Sequence, residues 1–249
     1  MSFETSLPSK EAHYTSLYSS SPHLTPEVLA RLPDPVLASD FWARIERLLS
    51  RYPTSFLGEI GLDRSFRIPE YGGLIAPHSI PNREDTPIEY TELKTPIEHQ
   101  CAVLEAQLDL AVKLNRNASV HCVQAQAQLV AVLQKMQQKH GKGWTAINVD
   151  LHSFGGSAET LRQLQKPKLS NIYVSFSTTI NARSPKLKGL IQSAAEDKLL
   201  AESDWASPVG SDNKMAEIVE MIAEAKDWTV EQTSVSFLLI GSCLNHRAV

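Results

Sequence analysis

The sequence predicts an α/β protein built from parallel β/α units, the class that includes the α/β barrels. First, short apolar, strand-like runs alternate with helix-length segments along most of the chain, which is the pattern of parallel β/α units. Second, four of these runs end at Glu59, His121, His152 and Asp204. Third, 249 residues with 42% hydrophobic content can bury one sizeable core, and single α/β barrels commonly have this length.

The chain begins with a segment rich in Ser, Pro and Thr, residues 1–38, that shows no strand-like run and no long amphipathic repeat. We predict an irregular lead-in here, followed by the main domain over residues 39–233. The main domain opens with an amphipathic helix from Asp40 to about Tyr52, for which Ser39 or Asp40 is the expected N-cap.

The first strand is predicted over residues 55–62, and a long connection follows it over residues 64–95. This insertion contains four prolines and the pair Gly72–Gly73, which rule out a regular element through most of it. Long connections of this kind in compact domains are usually lids, binding loops or disordered insertions.

Helices and strands then alternate regularly. Helices are predicted over about 97–114, 125–140, 158–165, 185–195 and 213–225, and strands over 118–122, 145–151, 172–175 and 198–202. With the strand at 55–62, the sequence predicts five parallel strands.

Composition restricts the class of partner. A net charge of −4 and a pI near 6.1 exclude an overall basic surface for nucleic acid. Residues 162–198 carry seven basic and two acidic side chains, a local excess that suits either a solvated helix face or a DNA contact. Three cysteines without metal-site spacing favour a reducing, intracellular location, in the cytoplasm or nucleus. No apolar run approaches 18 residues and no secretory signal is evident, so we expect no membrane association.

The four strand-end residues point to metal chemistry. The carboxyl ends of parallel strands meet at one edge of the sheet, so these side chains are expected to lie together. A lone histidine or carboxylate there is usually structural, but two of each form a plausible ligand set for zinc, manganese or magnesium. A bound ion would lower the pKa of water and polarise a phosphoryl or carbonyl oxygen. The sequence therefore predicts a metal-dependent hydrolase.

Other reactive residues have simpler explanations. Cys122 follows His121 in a strand, so the two side chains point to opposite faces and cannot form a nucleophile and base pair. Cys122 is therefore predicted to pack in the core, and His99 and Cys101 to pack on a helix. Gly155, Gly156 and Ser157 are either a phosphate-binding helix start or an ordinary turn.

Four motifs carry a family resemblance: GEIGLDR at 58–64, VHC at 120–122, HSFGG at 152–156 and ESDWASP at 202–208. Together they resemble the TatD family of metal-dependent hydrolases and deoxyribonucleases. The longer stretches GEIGLDRSFRIP, EHQ and SVHCVQAQ are similar to its fungal branch, named for interaction with a subunit of the anaphase-promoting complex. The resemblance implies a (β/α)8 TIM barrel with one or two divalent ions that hydrolyses phosphodiester or other ester bonds.

The resemblance also implies a role for each residue. Glu59 would be shared between two ions, and His121 and His152 would bind one of them. Asp204 would bind the other ion and orient or deprotonate the attacking water, which makes Glu59 and Asp204 the catalytic carboxylates. Asp63 and Glu202 match carboxylates that do not bind the metal but fix the orientation of the ligands and the loop backbone. The alternative for both is a helix cap or a surface salt bridge. The substrate would be DNA or a small ester, and a second possibility is an adaptor that docks a cell-cycle protein.

Two departures from the family are visible. The family opens with a strand that carries a His-x-His pair, which this sequence lacks, so its five strands would be the fourth to the eighth of a barrel lacking the first three. Residues 234–249 form an apolar tail unlike the family's C-terminus. We therefore expect an incomplete gene model or a truncated product that binds one ion weakly and turns over little.

Overall fold

The computed structural model describes residues 2, 6–19, 21–69 and 90–246, with side chains to Leu238. Most of the predicted insertion over 64–95 therefore lies outside the described residues. At its two ends, Pro69 and Tyr90 form an antiparallel bridge, and the Thr91 hydroxyl donates to the carbonyl of Ile68 at 2.8 Å.

A five-stranded parallel sheet organises the fold. Its strands are β1 (Leu57–Asp63), β2 (Ala118–Val123), β3 (Val149–Leu151), β4 (Ile172–Ser177) and β5 (Leu199–Glu202). They lie in the order β1-β2-β3-β4-β5, so each strand pairs with the next along the chain. The prediction of five parallel strands is confirmed. This sequential order is the one found in the wall of a β/α barrel, and it puts all the carboxyl ends at one edge.

Helices cover the sheet. After the lead-in they are α3 (Ala38–Arg51), α4 (Ile97–Lys113), α5 (Gln126–His140), α6 (Lys142–Ala146), α7 (Ala158–Leu164), α8 (Thr178–Asn181), α9 (Leu187–Ser193), α10 (Ser211–Lys226) and α11 (Val230–His246). Leucines of α4 and α5 join the strands in one core, and all six residues of β4 are buried, as expected for a strand covered on both faces. None of the described helices is long and apolar enough to cross a membrane.

The lead-in differs from the prediction because it contains two short helices, α1 (Lys10–Leu17) and α2 (Pro26–Arg31). The hydroxyls of Ser9 and Thr25 cap them by accepting the backbone N–H three residues later. Serine, threonine and proline suggested a loop in the sequence, but they also begin helices. A small apolar cluster of Tyr14, Tyr18, Leu32 and Leu93 holds these helices in place.

Three element boundaries also differ. Helix α3 begins at Ala38 with Leu37 at the N-cap position, so neither Ser39 nor Asp40 caps it. The predicted strand 145–151 shortens to β3, since the residues around the fully buried Trp144 form α6 instead. Much of the apolar tail over 234–249 belongs to α11, so the boundary predicted at residue 233 falls inside a helix.

Buried asparagines mark the amino end of the sheet. Asn117, Asn148 and Asn171 each immediately precede a strand and are at most 3% exposed. Their carbonyls accept hydrogen bonds from the first residue of the preceding strand, Leu57, Ala118 and Val149, at 2.8–2.9 Å. These hydrogen bonds fix the register of neighbouring strands at the amino end of the sheet. They therefore also fix the relative positions of the side chains at the carboxyl end.

Candidate metal centre

Three adjacent strands bring the first three predicted ligands together. Glu59 lies within β1, His121 within β2, and His152 directly after β3. Gly61 is in register with His121, and the backbone N–H of His152 donates to the carbonyl of Val120 at 3.1 Å. Strand register therefore places one carboxylate and two imidazoles side by side.

The ligand atoms of these three residues converge on one point. Glu59 Oε1 lies 3.0 Å from His121 Nδ1 and 2.8 Å from His152 Nε2. The two ring nitrogens are 3.2 Å apart. Two ligands of a tetrahedral zinc ion are separated by about 3.3 Å, so the three atoms have nearly the mutual spacing of a shared cation. The nitrogen and oxygen donors fit a divalent ion well.

The Glu59 carboxylate and the two imidazoles shift each other's pKa values. Hydrogen bonds from His121 and His152 hold the pKa of Glu59 far below its usual range. The hydrogen bond to Glu59 raises the pKa of His121, and it raises that of His152 to about 9. Glu59 thus favours the charged form of each imidazole, while the neighbouring His152 opposes the charge of His121. A divalent ion would have to displace the proton of a charged imidazole, because only neutral imidazole binds a metal.

Asp204, the fourth predicted ligand, belongs to a second, overlapping group with His152 and Glu202. His152 Nδ1 faces Glu202 Oε2 at 3.9 Å. The hydroxyl of Ser153 lies 2.7 Å from Glu202 Oε1 and 2.9 Å from Asp204 Oδ2. His152 is therefore common to both groups: its Nε2 faces Glu59 and its Nδ1 faces Glu202. Glu202, predicted only to steady the ligands, is positioned as well as Asp204 to contact an ion.

Asp63 both holds a turn and faces a histidine of the site, and it caps none of the described helices. Its Oδ1 accepts hydrogen bonds from the backbone N–H groups of Ser65 and Phe66 at 2.7 and 3.0 Å, which closes the turn after β1. Its Oδ2 lies 3.6 Å from His121 Nε2. The nitrogen that faces away from Glu59 thus meets a carboxylate, an arrangement that fixes the orientation of metal-binding histidines.

Several polar residues of the site were not found from the sequence. Ser153, Ser177 and Asn181 form a hydrogen-bonded group beside Glu202. Asp150 lies two residues before His152, and burial together with Glu202 raises its pKa to about 7. Its position two residues before a predicted ligand was the available signal, since alternate residues of a strand share a face. The serines and Asn181 gave no such signal, because their partners come from distant segments.

Gln100 ties α4 to the end of β1. Its Oε1 accepts from the N–H of Asp63 at 2.7 Å, and its Nε2 donates to the carbonyls of Asp63 and Thr95 at 3.0 and 2.9 Å. An open cleft of about 610 Å³ lies beside it, lined by Glu59, Leu62, Asp63, Phe66, Thr95, Gln100 and His121. Its volume is in the range of pockets for small ligands or single nucleotides.

The alternative sites have structural explanations. Cys122 packs against the core, and burial raises the pKa of its thiol to about 11, which argues against a nucleophile. Cys101 also packs against the core, from α4. The hydroxyl of Ser157 accepts from the N–H of Thr160 at 3.1 Å, so the Gly-Gly-Ser segment is a turn that caps α7.

Comparison with known proteins supports the prediction of a metal-dependent hydrolase. The sequence profile of the family described as TatD related DNase matches residues 20–237. The chain is 34% identical to the Cut9-interacting protein scn1 of Schizosaccharomyces pombe, over 90% of this chain and 71% of that protein. It is 28% identical to an uncharacterized deoxyribonuclease of Saccharomyces cerevisiae over 70% of this chain, and 30% identical to an uncharacterized metal-dependent hydrolase of Bacillus subtilis over 58%. The chain spans 52% and 57% of the length of these two proteins.

The fold has relatives among solved structures. The TatD homologue YjjV of Escherichia coli superposes with a TM-score of 0.60, at 18% identity, over 84% of this chain and 71% of that one. This likeness confirms the predicted α/β fold.

Proposed function

The chain belongs to the family of TatD-related DNases, whose members include metal-dependent hydrolases, and from that premise we propose that it hydrolyses phosphodiester bonds of DNA. The observation that carries the proposal is the convergence of Glu59, His121 and His152 from three strands, with their ligand atoms within 3.2 Å of one another. We propose these three residues and Asp204 as ligands of one or two divalent ions.

The four proposed ligands would have different chemical roles. A divalent ion held here supplies a water of lowered pKa and offsets the charge of a phosphate group. His121 and His152 offer neutral nitrogen donors, and Glu59 adds the negative charge between them. Asp204 is the carboxylate that orients the attacking water and accepts its proton. The cleft beside Glu59 leaves room for the substrate.

The test uses purified protein with added Mn²⁺, Zn²⁺ or Mg²⁺, on single- and double-stranded DNA and on p-nitrophenyl esters. Slow DNA cleavage is expected, since the sequence lacks the family's His-x-His pair, and it should be lost on chelation and in His152→Ala. His23→Ala, an exposed histidine of the lead-in, is the matched control and should remain active. Cleavage that survives both chelation and His152→Ala would exclude this mechanism. Hydrolysis of the small esters alone would identify a different substrate class.

A second candidate function follows from one comparison. The relative that covers 90% of this chain is named for its interaction with Cut9, so we propose as the alternative that this chain binds a corresponding cell-cycle protein. Complementation of cells that lack the protein separates the two candidates. His152→Ala should fail if hydrolysis is the cellular role, and it should complement fully if binding is.

A further inference from the structure

Ser153 is the point at which the ends of three strands meet. It directly follows His152 after β3. Its Oγ lies 2.8 Å from the hydroxyl of Ser177 at the end of β4, and it is hydrogen bonded to Glu202 at the end of β5 and to Asp204 beyond it. One side-chain oxygen therefore joins two carboxylates of the candidate metal centre to a buried serine.

The backbone of Ser153 is held in an uncommon conformation. Its φ is 43°, in the left-handed region that residues other than glycine seldom adopt. Asn181, which is only 4% exposed, holds it there. Its Nδ2 donates to the carbonyls of Ser153 and Phe154 at 3.3 Å, while its Oδ1 accepts from the N–H of Ser177 at 2.9 Å. A buried amide thus keeps the Ser153 hydroxyl aimed at the carboxylates.

Counting protons fixes the direction of these hydrogen bonds. Ser177 Oγ accepts from the N–H of Ile180 at 3.2 Å, which leaves its own proton free to be donated to Ser153. If Ser153 donated to Ser177 instead, the carboxylate oxygens of Glu202 and Asp204 would face only lone pairs of the Ser153 oxygen, which is unfavourable. The proton therefore passes from Ser177 to Ser153, and the proton of Ser153 goes to a carboxylate.

One proton serves two acceptors. Glu202 Oε1 also receives the backbone N–H of Ser153, so it keeps a donor without the hydroxyl. In the described part of the chain, Ser153 is the one hydrogen-bond donor to Asp204. The Asp204 carboxylate thus depends more on the hydroxyl than Glu202 does.

We propose that Ser153 is a positioning residue whose hydroxyl, supported by Ser177 and Asn181, orients Asp204 for metal binding. The inference rests on the proposed function, because it takes Asp204 as a ligand. Asp204 would hold the ion through its carboxylate, and the hydrogen bonds of Ser153 to Asp204 and Glu202 would keep both carboxylates oriented toward it.

The experiment measures Mn²⁺ affinity by calorimetry in wild type, Ser153→Ala and Ser153→Gly. Both variants should bind Mn²⁺ about tenfold more weakly or worse, the usual effect of losing a group behind a ligand. Glycine tolerates positive φ, so Ser153→Gly should unfold in urea no earlier than wild type, which separates lost positioning from lost folding. Ser157→Ala, four residues along the same turn, removes only a helix cap and should leave the affinity unchanged.

Two further readouts sharpen the test. In DNA hydrolysis, Ser153→Gly should lower kcat and leave KM unchanged, because the Ser153 hydroxyl acts through the Asp204 carboxylate. Ser177→Ala should weaken Mn²⁺ binding less than Ser153→Ala, since Ser153 keeps its own proton. Tighter binding in Ser177→Ala would contradict the assigned direction, because it would mean that Ser177 had been accepting the proton of Ser153.

Equal Mn²⁺ affinity in wild type and both Ser153 variants would overturn the proposal. Failure of the proposed function looks different: wild type would bind Mn²⁺ but cleave nothing, and the affinity comparison would still decide the role of Ser153. Wild type that binds no Mn²⁺ at all would overturn both.

Discussion

The side chain of Asp63 shows how one residue can serve both the local fold and the site. One carboxylate oxygen closes the turn at Ser65 and Phe66, and the other faces the His121 ring. The first role needs only an acceptor, whereas the second needs negative charge. Substitutions that separate acceptor from charge can therefore measure each role.

We expect Asp63→Asn to leave the free energy of unfolding within about 1 kcal/mol of wild type, because the amide oxygen still accepts the turn hydrogen bonds. Its metal affinity should fall about tenfold, because the imidazole loses its orienting carboxylate. Asp63→Ala should lose the same affinity and about 1–2 kcal/mol of stability besides. Urea unfolding and metal titration of the two variants check this, and unchanged affinity in both would leave Asp63 as a turn residue only.

His99 on α4 gives the protein a pH-dependent stability. Burial lowers its pKa from 6.5 to about 4, because the charged imidazolium is poorly solvated there. At His99 the unfolded chain then binds more protons than the native one between pH 4 and 6.5, so the contribution of His99 to stability is complete above pH 6.5 and declines as the pH falls through this window. The histidine is only partly buried, so we expect a loss of about 1 kcal/mol by pH 4.5. His99→Gln removes this contribution alone, so relative to wild type it should gain about 1 kcal/mol in urea unfolding near pH 4.5 and nothing from this source above pH 6.5. His23→Gln should follow wild type.

At the residue scale, the sequence predicts candidate ligands but not the residues that hydrogen bond to them. Glu59, His121, His152 and Asp204 could be chosen as candidate ligands because a polar residue at the end of an apolar strand is visible in the sequence alone. The contacts of Ser153 join residues 24 to 51 positions apart, and short-range periodicity contains no information about them. The second group of His152 with Glu202 and Asp204 was missed for the same reason, although both carboxylates had been noted.

At the scale of elements, the pairing of β1 with β2 sets the distance between Glu59 and His121. Gly61 lies opposite His121 in this pair with a φ of 150°. A Cβ at this position would overlap the carbonyl oxygen of His121 and lie 2.8 Å from its carbonyl carbon. The close approach of the two strands therefore requires glycine here.

Gly61→Ala should separate β1 from β2 or unfold the protein, with a stability loss of about 3 kcal/mol or more from overpacking and strain. Gly189→Ala in α9 is the matched control. Nothing lies within 4 Å of its added Cβ, and alanine in a helix interior should stabilise by about 0.5–1 kcal/mol. Thermal and urea unfolding of both variants would show this contrast, and a neutral Gly61→Ala would mean that the strands can move apart freely.

Elements of strong periodicity were predicted well and those of mixed composition were not. Long helices such as α4 and α5 and every strand except β3 lie close to their predicted positions, because the core selects apolar residues at their period. The two lead-in helices were missed because they are short and are held by contacts with Leu93, far along the chain. The residues of α6 looked strand-like, and burial of Trp144 overrode that local preference.

Over the whole molecule, metal binding and folding are coupled. The three closest ligand atoms come from three strands, so the unfolded chain cannot present them together, and any ion they bind favours the native state. At a free metal concentration 100 times its Kd, the stabilisation is about 2.7 kcal/mol. For a chain of this size, that raises Tm by about 5–10 °C.

We therefore expect Mn²⁺ or Zn²⁺ to raise the Tm of the wild-type protein in scanning calorimetry and a chelator to reverse the rise. His152→Ala removes the residue common to both ligand groups and should abolish the shift, whereas Asp204→Asn should reduce it, because Glu59, His121 and His152 still hold an ion. His23→Ala should respond as wild type does. If the rise in Tm were equal in His152→Ala and wild type, the ion would be binding elsewhere and the strand-end residues would not be its ligands.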